Sequence, residues 1–230
     1  MSCPDASLTV CAGQRADEVH LRTTANRRVV ARLFAQLDDG QLSTPSLCEG
    51  WMCRDVLGHL VMSLDLSFPR FLLEVARDRG RAGVTSDRLA RAYGARPVHE
   101  LVRQLDERSD VALSPPGVGA HGPFADSCIH LRDVAIPLDI SISPPVQDWV
   151  HVLEFLATSR ARAAGFLPRG RLDGLQLQAS DDTWSSGSGD VVTGTSEALA
   201  MSLTGRQVLI DDLAGAGAPT LRERVLAQQT

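Results

Sequence analysis

The chain has 230 residues, of which 43% are hydrophobic and 22% are charged, and its net charge is −5. This composition is typical of a globular protein and excludes an intrinsically disordered chain. The acidic balance gives no reason to expect a nucleic-acid partner. The N-terminal residues lack the basic and apolar segments of a secretory signal, and the most apolar run, Val56 to Leu66, is too short to span a membrane. We therefore expect a cytoplasmic protein that binds neither nucleic acid nor membrane.

The first half of the chain is predicted to be helical. Apolar residues at helical spacing predict one long helix from Ala16 to Leu37, followed by a loop from Asp38 to Trp51. A second helix is predicted from Cys53 to Leu66, and Pro69 fits the first turn of a third helix. Amphipathic, arginine-rich segments predict further helices at Ser86 to Tyr93 and Val98 to Ala112.

Two more helices are predicted in the middle of the chain. The loop from Ser114 to Pro123 precedes a helix from Phe124 to Ala135, which Pro137 should end because the residue before a proline avoids the helical region. A long helix is predicted from Val146 to Ala164, after the Ser143-Pro-Pro turn.

The pattern changes near Pro168. Alternating apolar and polar residues from Leu172 predict a strand, Asp181 to Asp190 a turn, and Val191 to Gly194 a short strand. Ser196 is expected to cap a helix that runs to about Val208. We therefore predict a mainly α protein: a helical bundle over residues 1–165, followed by a small α+β domain over residues 166–230 that packs on the bundle.

Asp126 and His130 are candidate metal ligands. They stand four residues apart on a predicted helix, so both side chains lie on one face. A carboxylate and an imidazole are common ligands of first-row metal ions. His59, in the middle of the apolar second helix, is the best candidate for a third ligand, since two inward-facing helices of a bundle can share one ion.

Each of these residues has an alternative, purely structural role. A histidine on an apolar face is more often a core residue than a ligand, and an acid such as Asp126 is favoured in a first helical turn by the helix dipole. Asp55 and His59 show the same spacing as Asp126 and His130. Asp133 could be a ligand, a hydrogen-bond acceptor for an imidazole, or a surface charge.

Two motifs resemble the mycothiol-dependent maleylpyruvate isomerase family, within the DinB-like superfamily. The segment Pro45-Ser-Leu-Cys-Glu-Gly-Trp-Met-Cys-Arg-Asp-Val-Leu-Gly-His-Leu is similar to the family pattern, roughly P-x-x-x-G-W-x-x-R-D-[VL]-[VL]-x-H-L, with four residues in place of three between Pro45 and Gly50. The segment Asp126-Ser-Cys-Ile-His-Leu-Arg-Asp-Val-Ala-Ile-Pro-Leu resembles the second motif, which has an acid, three residues and a histidine. The family often has glutamate at the position of Asp126, and threonine or serine where Met52 stands.

The resemblance implies a DinB-like four-helix bundle with a small C-terminal α+β domain. It also implies that His59, Asp126 and His130 bind one divalent ion, with zinc the expected metal, and that mycothiol is the cosubstrate. A free thiol has a pKa near 8.5 and only its thiolate is a good nucleophile, so a metal that binds the sulfur would activate it. The thiolate would add to an electrophile, giving cis–trans isomerisation or S-transfer.

Further residues are candidates for binding the substrate or the thiol. Arg206, after Thr204-Gly205, is the candidate catalytic residue and cofactor-binding residue, because a guanidinium suits a carboxylate; a surface arginine is the alternative. Trp51, a second candidate for cofactor binding, and Trp184 could form walls of the pocket or serve only in packing. The chain's five cysteines have no C-x-x-C spacing, and we expect structural thiols.

The function expected from the resemblance is a metal-dependent thiol S-transferase or isomerase that acts on a small electrophile. Two alternatives are a hydrolase or lyase in which the metal activates water, and a non-catalytic protein of the same fold that binds a metal or a small molecule. The expected partners are the electrophilic substrate and a low-molecular-weight thiol, and the expected oligomeric state is a monomer or a homodimer.

Overall fold

The computed structural model describes residues 6–227, with side chains from residue 17 onward. Helices predominate up to residue 163 and a small sheet follows. The first helices are α1 (Ala6–Phe34), α2 (Asp39–Leu42), α3 (Cys53–Asp65), α4 (Phe68–Arg77), α5 (Ala82–Gly94) and α6 (Val98–Glu107). They are followed by α7 (His121–Ala135), α8 (Val146–Leu156), α9 (Ser159–Ala163), β1 (Leu175–Ala179), β2 (Ser185–Gly187), β3 (Asp190–Gly194), α10 (Ser196–Leu203), a 3₁₀ turn (Ile210–Asp212) and α11 (Ala218–Leu226).

The segment between α1 and α3 contains a short helix where the sequence predicted only a loop. The Asp38 carboxylate accepts a hydrogen bond from the Gln41 amide at 2.8 Å, and the Gln41 side chain accepts one from the Asp38 amide at 3.1 Å. This reciprocal capping box satisfies two amides at the start of α2. The box is local in sequence and could have been recognised.

The start of α3 has no capping side chain, because Met52 occupies the N-cap position. The carboxylate of Asp55, three residues later, accepts a hydrogen bond from the Met52 amide at 2.9 Å. The Cys53 amide donates to the Thr44 carbonyl at 2.9 Å, and Met52 forms an isolated bridge with Pro45. Asp55 and the preceding loop therefore fix the N-terminal end of α3, the helix that carries His59.

A core of apolar side chains joins α1, α3, α6 and the last part of α7. It includes Phe34, Leu57, Leu101 and Val134, each at most 1% exposed. The apolar residues of α3 recur at helical spacing, so that one face of the helix is buried against this cluster. His59 is only partly buried on the same helix.

The predicted helix from Val146 to Ala164 is wrong, because the structure has two helices there. α8 ends at Leu156, and the Thr158 hydroxyl then caps α9 by accepting a hydrogen bond from the Ala161 amide at 3.2 Å. A threonine that satisfies the first amides of a new turn competes with continuation of the preceding helix. The apolar periodicity runs through both helices and concealed the break.

The small sheet has strand order β2-β1-β3, with β1 antiparallel to β2 and parallel to β3. The predicted strands near Leu172 and Val191 are confirmed as β1 and β3, but the segment predicted as a turn contains β2. That strand is Ser-Ser-Gly at a sheet edge, where no alternation of apolar residues is required. Its register pairs Leu177 of β1 with Ser186.

The last helices differ from prediction at their ends. Thr195, not Ser196, is the N-cap of α10, and its hydroxyl accepts a hydrogen bond from the Ala198 amide at 3.1 Å. The helix ends at Leu203 and not near Val208. The Ser196 side chain instead donates to the Asp181 carboxylate at 2.8 Å. α11 was not predicted.

The described residues form two compact units. One comprises the chain up to Pro115 together with His130–Ile142, and the other comprises Pro116–Ile129 together with the chain from Ser143 onward. The boundary falls within α7, which is one unbroken helix. The domain boundary expected at residue 165 remains a prediction. Among residues 6–227, no helix has both the length and the hydropathy that a membrane span requires.

Candidate metal centre

Two histidines from separate helices come together in the first unit. The ring centroids of His59 on α3 and His130 on α7 are 4.9 Å apart, and the rings are inclined at 70°. His130 is 7% exposed, and His59 is half-buried. Packing of α3 within the helical core positions the first ring, and the buried face of α7 positions the second.

Asp126 lies one helical turn before His130 on α7, so the predicted spacing is present on a formed helix. The ligand atoms of His59, Asp126 and His130 all lie within 4.8 Å of one another. These are the three residues that the sequence selected as metal ligands. Two imidazoles and one carboxylate are a common ligand set for a catalytic first-row metal ion, and their atoms are close enough to close on one ion.

Asp133 holds the His130 ring from its other side. Its Oδ2 lies 2.8 Å from Nδ1 of His130, and the Asp133 side chain is fully buried, which rules out the surface-charge alternative. An imidazole whose Nδ1 is paired with a carboxylate presents Nε2 to a metal. Asp133 therefore fixes the orientation of the His130 ring. It also determines which ring nitrogen is available to an ion at the first ligand group, which consists of His59, Asp126 and His130.

Cys48 makes a contact that the sequence did not predict. Its Sγ donates to Asp133 Oδ2 at 3.0 Å and lies 3.6 Å from His130 Nδ1. Cys48, His130 and Asp133 form a second group whose ligand atoms all lie within 4.8 Å. The thiol is 82 residues away from His130 in the chain, so no local spacing could have revealed the contact.

Trp51 lies beside both imidazoles. Its ring centroid is 5.2 Å from that of His59 and 6.1 Å from that of His130. The indole Nε1 donates to Asp87 Oδ1 at 2.7 Å, which fixes the ring orientation. The hydroxyl of Ser86, next to Asp87 in the chain, lies 3.5 Å from His59 Nδ1. Trp51 is therefore a fixed wall next to the histidines.

Two other polar residues of α3, Asp55 and Cys53, have structural surroundings. The Asp55 carboxylate is engaged with the Met52 amide at the start of the helix and belongs to neither ligand group. Burial raises the pKa of the Cys53 thiol from 9.0 to about 11, with a further contribution from the charge of Asp133. Cys53 therefore stays protonated near neutral pH and is a poor nucleophile.

Arg206 and Trp184 lie in the second compact unit. The guanidinium of Arg206 donates to the Thr204 carbonyl at 2.8 Å, just after α10. The Trp184 amide donates to the Asp182 carboxylate at 3.0 Å, and its side chain is half-buried. The assignment of Arg206 as a catalytic and cofactor-binding residue stays a prediction, as does a role for Trp184 in the pocket.

Comparison with known proteins gives a family match for part of the chain and a similar fold. Residues 23–115 match the sequence model described as the mycothiol maleylpyruvate isomerase N-terminal domain. No curated protein sequence matches the chain. The fold resembles the crystal structure of a histidine-to-alanine mutant of the mycothiol-dependent maleylpyruvate isomerase, with a TM-score of 0.55, 15% identity, and coverage of 88% of this chain and 93% of that chain.

A second crystal structure, of the mycothiol-dependent maleylpyruvate isomerase, aligns with a TM-score of 0.47 and 16% identity over the same shares of the two chains, which is too low to add to the argument. The family match includes the first of the two sequence motifs, at residues 45–60, and the first structural match concerns the fold. Residues 23–115 therefore resemble the N-terminal domain of mycothiol maleylpyruvate isomerase, and the fold of the chain resembles that of the first crystal structure.

Proposed function

We propose that the protein is a metal-dependent enzyme that uses a small thiol of the mycothiol type to isomerise, or to transfer sulfur onto, a small electrophile. The observation that carries the proposal is the convergence of His59, Asp126 and His130, whose ligand atoms lie within 4.8 Å of one another. The family match of residues 23–115 supports a thiol as the cosubstrate. Zinc is the proposed ion, because histidine and carboxylate ligands suit it.

His59, Asp126 and His130 would hold the proposed ion, and neighbouring side chains determine which nitrogen of each histidine faces it. A divalent ion held by three protein ligands supplies a further position at which a thiol loses its proton near neutral pH. Asp133 keeps His130 turned so that Nε2 is available. The proximity of Ser86 to Nδ1 of His59 favours the same choice of nitrogen there. Asp126 contributes one negative charge to the group.

The reaction proposed for the thiolate is reversible addition to a conjugated double bond. Addition converts the double bond to a single bond, rotation follows, and expulsion of the same thiolate restores the double bond in the other geometry. The thiol is regenerated and no atom is gained or lost, so isomerisation requires no oxidant or reductant. If the sulfur is retained instead, the product is a thioether and the reaction is an S-transfer.

Trp51 and Arg206 have proposed roles in binding. Trp51 is held by Asp87 beside both histidines, where its indole can exclude water from one side of the thiol. Arg206 is proposed to bind a carboxylate of the substrate or the thiol, because a guanidinium binds a carboxylate in bidentate geometry. In that role Arg206→Lys should raise KM more than it lowers kcat, because lysine lacks the bidentate geometry of arginine.

The test is calorimetry on zinc-loaded protein with mycothiol, glutathione and cysteine as probes. Thiol binding is expected in the unmodified protein and should be lost in His59→Ala, with metal content measured in parallel. His20→Ala is the matched control, because His20 lies on α1 and belongs to neither ligand group, so it should bind thiol normally.

The other outcomes overturn the proposal in different ways. Metal binding without thiol binding would eliminate the thiol step and favour an ion that activates water. Failure to bind either metal or thiol would leave a non-catalytic protein of the same fold. Thiol binding that survives in His59→Ala would show that the thiol does not depend on the proposed ion.

A further inference from the structure

We propose that Cys48, His130 and Asp133 form a second cation position, selective for thiophilic divalent ions, at Nδ1 of the His130 ring. It would lie on the other ring nitrogen from the ion held by His59, Asp126 and His130. The proposal goes beyond the thiol chemistry and does not depend on it, because it concerns only which atoms of this chain bind a metal.

The distances between the three donor atoms carry the inference. Sγ of Cys48 lies 3.0 Å from Asp133 Oδ2 and 3.6 Å from His130 Nδ1, and the nitrogen lies 2.8 Å from that same oxygen. Tetrahedral zinc with its usual bond lengths holds such donors about 3.3–3.6 Å apart. Two of the three separations must therefore open by roughly 0.5 Å for an ion to bind in the triangle.

The donor types favour a thiophilic ion. A thiolate, an imidazole and a carboxylate form a mixed sulfur, nitrogen and oxygen set, which suits zinc, cobalt or cadmium better than magnesium or calcium. A cysteine thiolate and an aspartate together carry two negative charges, which balance one divalent ion. Binding would release the proton that the Cys48 thiol now directs at Asp133, and the Nδ1 proton of His130 would move to Nε2, or to solvent where an ion already occupies Nε2.

The loop that presents Cys48 is already ordered around the group. The Leu47 amide donates to the Asp133 carbonyl at 3.0 Å, and the Trp51 amide donates to the Cys48 carbonyl at 3.0 Å. The Ser46 hydroxyl accepts from the Cys48 amide at 3.2 Å. These bonds fix the Cys48 backbone in register with Asp133, so little conformational entropy remains to be lost when an ion binds.

Burial and access also fit the proposal. Asp133 is fully buried and His130 nearly so, whereas Cys48 is half-buried and provides a route from solvent.

The test is the absorption spectrum of the cobalt-loaded protein, because a thiolate bound to Co²⁺ gives a sulfur-to-metal charge-transfer band. In His59→Ala, which breaks the first ligand group, the band is expected to remain. In the double variant His59→Ala/Cys48→Ser it should disappear. Cys128→Ala is the matched control, since Cys128 belongs to neither ligand group and its loss should leave the band intact.

Two results would overturn the proposal. One is the absence of the band in His59→Ala at saturating Co²⁺, and the other is a band that survives in the double variant. A second measurement uses unmodified protein: Cd²⁺ should protect Cys48 from alkylation by iodoacetamide, as followed on its peptide by mass spectrometry. An unchanged alkylation rate would contradict the site even if a variant failed to fold.

Discussion

Gly58 of α3 lies so close to Gly94 of α5 that a Cβ on Gly58 would stand 2.4 Å from the Gly94 amide nitrogen. The same Cβ would be 2.3 Å from the Ala90 carbonyl oxygen, and a Cβ on Gly94 would meet the Arg54 carbonyl oxygen at 2.9 Å. The two helix backbones therefore touch at positions without side chains. From the sequence alone, Gly58 is only a weak helix former. In the structure, the close packing of α3 on α5 at Gly58 helps to fix the position of the adjacent His59.

Gly58→Ala should destabilise the fold, because the atoms in its way belong to backbone that cannot move aside alone. We expect a loss of about 1–3 kcal/mol or more in the free energy of unfolding, measured with urea. The control is Gly83→Ala in α5, where a new Cβ meets nothing within 4 Å. There the better helix propensity of alanine should add about 0.5–1 kcal/mol. Equal effects at both positions would contradict the close contact.

Asp133→Asn should weaken metal binding at the group of His59, Asp126 and His130. The substitution removes the carboxylate that pairs with Nδ1 of His130, and loss of such an outer partner costs about 10–100-fold in metal affinity. Competition with a chromogenic chelator measures this affinity, in a Cys48→Ser background so that only the first group is titrated. Asp110→Asn, which changes an exposed aspartate, should leave the affinity unchanged.

Met52→Thr should stabilise the start of α3. Met52 already has the extended backbone of an N-cap residue and is 41% exposed, so a hydroxyl can replace the thioether without loss of core packing. The expected gain is about 0.5–1 kcal/mol in the free energy of unfolding. Met52→Ala supplies no acceptor and should give no gain. A destabilised threonine variant would show that the Met52 side chain has a packing role.

The thiol of Cys53 should make stability fall at alkaline pH. Burial raises its pKa to about 11, so the folded chain keeps a proton that the unfolded chain releases near 9.0. The associated stability is present in full below pH 9.0 and is lost as the pH rises towards 11. Urea unfolding across this range should show that the advantage of the unmodified protein over Cys53→Ala shrinks.

The comparison with Cys53→Ala is needed because a second group, the Tyr93 phenol, also loses its proton at alkaline pH. Burial and the nearby Asp65 also raise the pKa of Tyr93. Since Tyr93 is present in both proteins, its contribution cancels in the difference between their unfolding free energies. A difference that does not change with pH would contradict the raised pKa of Cys53.

The sequence predicted what depends on local spacing. His59, Asp126 and His130 were identified because one pair shares a helical face and because two motifs resemble a known family. The helices that carry them, α3 and α7, begin and end close to the predicted residues. The ligand atoms of the three side chains come together in the structure.

What the sequence could not predict depends on contacts between distant parts of the chain. Cys48 and Asp133 are 85 residues apart, and no local sequence pattern around either residue predicts their contact. Gly58 looks unfavourable in a helix until the backbone of α5 is present. β2 has no alternation of apolar residues, so only its hydrogen-bonded pairing with β1 identifies it as a strand. The break between α8 and α9 depends on a cap that competes with an uninterrupted apolar pattern.

The bonds around Ser46, Leu47 and Trp51 have a consequence for local unfolding. The Ser46 amide donates to the Trp51 carbonyl at 2.8 Å, and the Leu47 amide is bonded to α7 through Asp133. A connection between helices usually exchanges its amide hydrogens quickly and is open to proteases. Here the amides of Ser46, Leu47 and Trp51 should exchange as slowly as those of the helices. The segment that carries Cys48 and Trp51 should therefore unfold only when α7 unfolds or detaches from it.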